Sequence, residues 1–372
     1  MKNVLLFLVA LVFAGTISLW VRYGGGAPYP DLSTSPILDA SSLEEVVRYS
    51  EPIGNVAVNR DGRLFFTVHP EARPKGNKLL EYVRGAAVPY PSGAAQAELF
   101  DTVLGVAIDR YNRLWTIDHG NHGLRRVRIV AIDLDTNVVI REQILDPEIA
   151  PAGSFLQDLQ VSADGNTIVI ADASFWRKSP AIIIYDVETG RARRVLESHA
   201  SVSAEDYVIR NNDREMKFLG GIVALRGGID GIALGPEWLY FGAISGSGLY
   251  RVRLRDLRDA SLPPGQLANR VERVGDKPLS DGMSIDIEGN VYITAIEHNA
   301  VFIGRPGQEP ETLIRSGRIR WPDALSFGPD GYLYLADSAL AELILQSREH
   351  IDAQAPYRIF RFRPGVEGIP GQ

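Results

Sequence analysis

The stretch Val56-Ala57-Val58-Asn59-Arg60-Asp61-Gly62-Arg63-Leu64-Phe65-Phe66 decides the fold. Apolar residues lead into Asp61-Gly62, whose glycine supplies the positive φ of a tight hairpin, and an aromatic-rich run returns from it. The phrase comes back as Val106-Ala107-Ile108-Asp109-Arg110-Tyr111-Asn112-Arg113-Leu114-Trp115, and again over 159–170, 232–241, 284–293 and 325–335. Aligned on the turn (Gly62, Asn112, Gly165, Glu237, Gly289, Gly331), the copies lie 50, 53, 72, 52 and 42 residues apart. Hairpins repeating at about 40–50 residues without a helical period are the mark of propeller blades.

A third strand follows each hairpin, at 78–83, 128–134, 182–187, 248–254, 301–305 and 357–362. A fourth precedes the next copy, at 98–100, 138–144, 193–196, 271–274 and 312–314. The sixth unit lacks its own fourth strand. Val46-Val47-Arg48-Tyr49 precedes the first copy as fourth strands precede the others, so it is expected to complete the last blade and close the ring. The competing local reading is a helix, because Ser41 and Ser42 each carry a glutamate three residues on. The expectation is an all-β, six-bladed β-propeller of four-stranded antiparallel blades over 43–365, with a short tail at 366–372.

The segment before the ring is of another kind. Val4 to Ala14 is uninterrupted apolar sequence, and the run continues with few breaks to Val21 before Arg22. Residues 1–22 read as a signal peptide or signal anchor. Gly24-Gly25-Gly26-Ala27-Pro28 opens a tether over 23–42. Lys2 and the amino terminus favour an inside N-terminus. The rest is therefore expected outside the cytoplasm, extracellular or periplasmic, touching membrane only through residues 4–21.

The net charge of −7, with no basic block, disfavours nucleic-acid binding. With no cysteine there is no disulfide, thiolate metal site or cysteine nucleophile. Gly-x-Ser-x-Gly, phosphate-loop and His-Glu-x-x-His patterns are missing too, which removes several hydrolase and nucleotide-binding classes.

Topology sorts the remaining candidates, because the start of strand one and the end of strand two lie on one face of a meander. The hairpin acids Asp61, Asp164, Glu288 and Asp330 fall on the opposite face and read as solvated turns. Asn55, Asp158, Asp230, Asp281 and Asp323 precede or open the first strands of five blades, and Asp118, His119, Asp172, Glu297, His298 and Asp337 sit at strand-two ends. Two like charges about 6 Å apart repel by roughly 3 kcal/mol at an effective dielectric near 20. Such a ring can share a proton, bind a divalent cation, attract an ammonium group or pair with arginine. The commonplace role of any single aspartate is to bond backbone amides, yet no turn requirement accounts for Asp230-Gly231 or Asp281-Gly282. Phe175, Trp176 and Trp321 are placed near the same mouth, and a carboxylate beside an aromatic face recognises organic cations. The loop 338–356 overhangs it as a lid. His119 and His122, spaced i,i+3 in a loop, read as polar loop residues ahead of metal ligands.

Leu114-Trp115-Thr116-Ile117-Asp118-His119-Gly120, Gly228-Ile229-Asp230-Gly231-Ile232-Ala233-Leu234, Ser280-Asp281-Gly282-Met283-Ser284-Ile285-Asp286 and Trp321-Pro322-Asp323-Ala324-Leu325-Ser326-Phe327 form an ordered set. In that set, over about 45–365, the chain resembles the major royal jelly protein/yellow family, as a bacterial-type member. The resemblance implies an exported six-bladed propeller binding a small aromatic or amine ligand at its centre, with dopachrome-tautomerase-like activity in some members. It departs from disulfide-bearing, glycosylated members, since cysteine and Asn-x-Ser/Thr sites are missing. Under this reading Asn55, Asp158, Asp172, Phe175, Trp176, Asp230, Trp321 and Asp323 bind ligand. Asp281 and His298 are the catalytic pair, and no cofactor is required. The Asp281 phrase also resembles gluconolactonase-like propellers, which implies the alternative of a divalent-metal-dependent lactonase, with Asp230 and Asp281 as candidate ligands to an ion such as calcium. A structural interaction platform is a third class.

Overall fold

The computed structural model describes residues 1–305 and 307–372. Among them the strands form six four-stranded antiparallel sheets, each a meander, with two short two-stranded ladders besides. Blade one, for example, runs Ile53–Val58, Leu64–Val68, Leu79–Val83 and Ala86–Pro89. The innermost strands are buried on both faces because neighbouring blades cover them, so Ile53–Val58 and Val103–Ile108 are buried at every position and apolar except at Asn55. Outer strands meet solvent on one face, and Val138–Ile144 alternates accordingly. The hairpin glycines Gly62, Gly165, Gly289 and Gly331 all have positive φ, as does Asn112, which takes glycine's place.

The ring closes as the sequence implies. Glu44–Tyr49 pairs antiparallel with Tyr357–Phe362, matching Val47 to Ile359 and Tyr49 to Tyr357. Val47 is fully buried in the seam, and Arg361 and Arg358 hold Glu44 and Glu45 at 2.8 and 3.0 Å. The helical alternative shrinks to one 3-10 turn, Ala40–Ser42, capped by Asp39.

One strand assignment is corrected. Residues 98–100 are not the fourth strand of blade one: Gly93–Leu99 is a helix, capped by the Ser92 side chain on the Ala95 N–H. Ala86–Pro89 takes the edge position, reached through a two-residue turn in which Arg84 and Gly85 both have positive φ. Residues 366–372, set apart as a tail in the sequence, lie across the hairpin end of the channel. The Gly371 carbonyl accepts from the Ile108 N–H of blade two, and the Gln372 amide donates to the Val161 carbonyl of blade three. Gly371 and Gln372 also exchange backbone bonds with Phe327 of blade six.

The apolar N-terminal run is a single helix, α1, spanning Lys2–Tyr23, long and apolar enough to cross a membrane. It fits a signal or an anchor.

Candidate functional site

At the other end of the channel the first strands begin with a register shift. It falls between Ile53 and Val56, Val103 and Val106, Leu156 and Leu159, Ile229 and Ile232, and Pro322 and Leu325. A bulge of this kind re-aims side chains, and in these blades it falls on two successive entry positions, whereas in blade five the equivalent pair precedes the unshifted strand Met283–Ile285. Their occupants are Gly54/Asn55, Leu104/Gly105, Gln157/Asp158, Asp230/Gly231, Asp281/Gly282 and Asp323/Ala324. The glycines have a packing reason. A Cβ at Gly231 would lie 2.4 Å from the Asp281 carbonyl of the next blade, and one at Gly282 would lie 2.3 Å from that of Asp323. The Asp-Gly pairs are therefore a polar group beside a close approach of blades, which no turn rule explains.

Asn55, Asp158, Asp230, Asp281 and Asp323 surround a space of ≈ 10 Å³, about one water in size. The Asn55 amide donates to Asp158 Oδ1 at 2.8 Å, and the Trp321 indole N–H donates to Asp281 Oδ2 at 2.6 Å. One buried oxygen each of Asp230 and Asp323 finds no hydrogen-bond partner, with His69 Nε2 3.8 Å from that of Asp323. Burial first, and then the Asp281 charge, push Asp158 up to about 7 against the Asn55 bond. Burial and neighbouring carboxylates hold Asp230 and Asp323 well above the usual range. Burial also raises Asp281, against hydrogen bonds from Asp230 and Trp321 and the charge of Lys277. Each of these four carboxyl groups is thus biased toward its protonated form. Behind it the fully buried Lys277 donates to Ser280 Oγ at 2.9 Å and the Pro278 carbonyl at 3.1 Å. Burial brings it down to about 7, opposed by Glu205, Asp230 and Asp281.

Asp281 also opens onto a second, larger space of ≈ 260 Å³. One side of it is polar: His69, Glu71, His122 and Gln157 accompany Asp281. The rest is apolar, with Phe155, Phe175, Trp176, Phe218 and Trp321 supplying aromatic surface. Two insertions complete the wall. The 199–228 segment between blades three and four brings Leu219, Val223 and Leu225, and the 338–356 loop brings Leu340, Ile344 and Leu345.

Histidine-capped turns build the polar side. His69 Nδ1 accepts the Glu71 N–H at 3.2 Å at the head of the turn Pro70–Ala72, and His119 Nδ1 accepts the His122 N–H at 3.0 Å in the next blade. The second turn carries Gly120, Asn121 and His122 at positive φ, which aims the His122 Nε2 at Glu71 Oε1, 3.1 Å away. Burial would raise Glu71, but the hydrogen bond and charge of His122 outweigh it and hold the carboxyl at about 2. Burial pushes His69 down to about 4 and His119 to about 3. His119 Nε2 and His122 Nδ1 are buried without partners.

The sequence candidates divide accordingly. Asn55, Asp158, Asp230, Asp281 and Asp323 come together as a ring, and Phe175, Trp176 and Trp321 line the adjoining cavity. Asp172 does not face either space. Its carboxylate accepts the N–H groups of Phe155 and Ser174 at 2.7 and 3.0 Å and pairs with Arg194 at 2.9 Å. Asp118 and Asp337 bond loop amides in the same way, so the strand-two acids are fasteners. His298 is separated from Asp281 as well: its Nε2 faces Asp31 at 3.4 Å, and it lines neither space. The structure does not bring His298 into either space with Asp281.

The donors also fit a divalent ion poorly. Asp158 and Asp281 are engaged by Asn55 and Trp321, and among the described residues no group of three or more His, Asp or Glu has a metal-holding arrangement. Glu71 and His69, which line the larger space, and Lys277 behind the ring are candidate-site residues the sequence reading missed. Two signals were open to it: the His-x-Glu spacing at the end of the same hairpin that carries Gly62, and the 72-residue gap that marks the wall-forming insertion.

Among solved structures the fold is similar to a luciferin-regenerating enzyme at 12% identity, covering 88% of this chain and 97% of that one, with a TM-score of 0.56. It is similar to the calcium-binding protein regucalcin from Agrobacterium tumefaciens at 16% identity, covering 91% and 98%, with a TM-score of 0.55. A gluconolactonase from Xanthomonas campestris matches at 14% identity over 92% and 98%, with a TM-score of 0.53. At these identities the likeness is one of fold. Comparison with curated protein sequences returns no match. The family model described as major royal jelly protein matches residues 101–315, the span that carries the Asp118, Asp230 and Asp281 phrases. By that match over more than half its length, the chain belongs to the major royal jelly protein family.

Proposed function

We propose that this chain is an exported propeller that binds a small aromatic amine in the ≈ 260 Å³ cavity. The observation that carries the reading is the double position of Asp281, which belongs both to the carboxyl ring and to the aromatic cavity. An ammonium group directed at Asp281 and Glu71 leaves the ring system of the ligand against Phe155, Phe175 and Trp176, the pairing that favours organic cations. The carboxyl ring gives the site a chemical signature. A cation arriving beside Asp281 disfavours the protonated form of the ring carboxyls, Asp158 at about 7 among them, so binding near pH 7 releases a proton. Isothermal titration with phenethylamine in two buffers of different ionisation enthalpy tests this. Proton release that disappears in Asp281→Asn supports the reading, and the absence of any binding heat or stabilisation rejects it.

The tautomerase reading draws on the same cavity. A proton shift on an aminochrome-like ring needs a donor and an acceptor within reach of one substrate. Asp281, Glu71 and His122 are titratable groups that the cavity offers for that exchange. The lactonase reading rests on fold likeness and on the two unpartnered carboxylate oxygens. Its metal requirement is opposed by the donor set described above.

A further inference from the structure

The C-terminal end of α1 touches the wall of the ligand cavity. Tyr23 Oη donates to the Trp176 carbonyl at 2.8 Å, and Arg22 Nη2 donates to the Arg177 carbonyl at 2.8 Å. The Tyr23 ring packs on Phe175 and Trp176, with centroids 6.0 and 5.8 Å away. Both of those residues line the cavity. The helix is long and apolar enough to cross a membrane, and its 22 residues reach about 33 Å at 1.5 Å per residue, enough for a hydrocarbon core of about 30 Å. A membrane-length helix thus ends beside the opening through which a ligand enters.

That opening has an apolar rim. Trp176 is 47% exposed, Leu219 64% and Leu345 70%, and all three belong to the cavity lining. They come from three separate loops: the end of strand two in blade three, the 199–228 insertion and the 338–356 loop. A single exposed leucine needs no explanation, whereas three large apolar groups around one mouth do. Cations stand beside them. Lys178 Nζ lies 4.3 Å from the Phe175 centroid and 5.2 Å from that of Tyr23. Arg177 and Arg226 are paired with Glu197 and Asp206, while Arg22 and Lys178 make no ion pair among the described residues. Aromatic rings, leucines and Arg or Lys in one belt is the composition of a membrane–water interface.

We propose that the mouth of the cavity is seated on the bilayer that holds α1, with Trp176, Leu219 and Leu345 in the interfacial layer and Arg22 and Lys178 at the level of the lipid phosphates. The cavity then opens into the boundary between headgroups and acyl chains, and its ligand is an amphiphile that partitions there. The ligand class rests on the function proposed above; the seating does not, and it is tested without any ligand.

The chain has no cysteine, so single labelling sites are clean. Leu219→Cys, Leu345→Cys and Asp61→Cys, the last on the exposed hairpin face, are each labelled with an environment-sensitive fluorophore in the full chain. The labelled chains are bound to vesicles of phosphatidylcholine and phosphatidylglycerol. The proposal expects several-fold brighter, blue-shifted emission at 219 and 345, quenched by acyl-chain nitroxides, with no change at 61. Flotation confirms that the chain is on the vesicles, and unchanged melting temperatures confirm the fold. Vesicle-bound chain in which 219 and 345 stay as wet as 61 overturns the seating. If the probes are shielded but phenethylamine does not raise the melting temperature, the seating stands and the ligand reading falls.

Discussion

The Trp321 indole of blade six donates to the Asp281 carboxylate of blade five at 2.6 Å, with both side chains buried. This bond crosses a blade boundary and fixes Asp281, an acid shared by the carboxyl ring and the larger aromatic-lined cavity. Trp321→Phe keeps an aromatic ring but deletes the donor and removes part of the buried indole. A buried acceptor left without its partner costs about 1–3 kcal/mol, so a lower melting temperature is expected together with weaker amine binding. An unchanged melting temperature would show that water replaces the bond.

The carboxyl ring carries a pH signature whose sign is fixed. Asp158 is raised to about 7 in the folded chain, so the folded state binds the extra proton. Its contribution to stability is present below the unfolded value of about 4 and is lost as pH rises to about 7. His69 and His119 are lowered and act in the opposite direction, losing stability as pH falls below about 6.5. They cancel in the difference between wild type and Asp158→Asn. That difference should move in favour of the variant between about pH 4 and 7 and level off above it, in denaturant titrations at several pH values. A flat difference would mean that Asp158 is ionised throughout.

Blade packing makes a separate prediction. Gly231→Ala places a Cβ against the Asp281 carbonyl, which is backbone and cannot swing away. Forcing the two blades apart should cost about 1–3 kcal/mol or more, read as a loss of several degrees in melting temperature. Gly289→Ala is a poor control because its φ is positive, so Gly275→Ala, with nothing near its Cβ, serves instead. Equal effects at 231 and 275 would refute the close-approach account.

Closure is tested by truncation. Removing residues 1–50 takes away the edge strand and the buried Val47, leaving Tyr357–Phe362 as an open edge, and the product should unfold or aggregate. Removing residues 1–30 leaves the pairing intact and should retain a cooperative melt. Comparable melts for both would contradict closure by the N-terminal strand.

Much of this architecture was legible because blade hairpins impose period two, buried faces and a turn residue at positive φ all at once. The strands 138–144 and 357–362 satisfy all these demands, and their sequence bounds match the structure. Ala86–Pro89 satisfies none strongly: it is short, outermost and half exposed, so only Arg84-Gly85 announced it. The acids of the ring were legible from topology, since every first strand starts at the same face. That the strand-two acids serve as fasteners was not, because Asp172 and the first-strand Asp281 lie toward the same face and their roles part according to which amides and arginines come within reach once the blades pack. Glu71 and Lys277 were hidden for the same reason, being charged residues whose burial is set by segments far away in sequence.

The most direct measurement of the central claim is the melting temperature of the chain with phenethylamine, with its neutral counterpart 2-phenylethanol, and with chelator followed by calcium. A ligand that binds only the folded state raises the melting temperature with its occupancy. The account predicts concentration-dependent stabilisation by the amine, much less by the alcohol, and no response to chelator or calcium. Stabilisation by calcium that chelator reverses, with no effect of the amine, would contradict it.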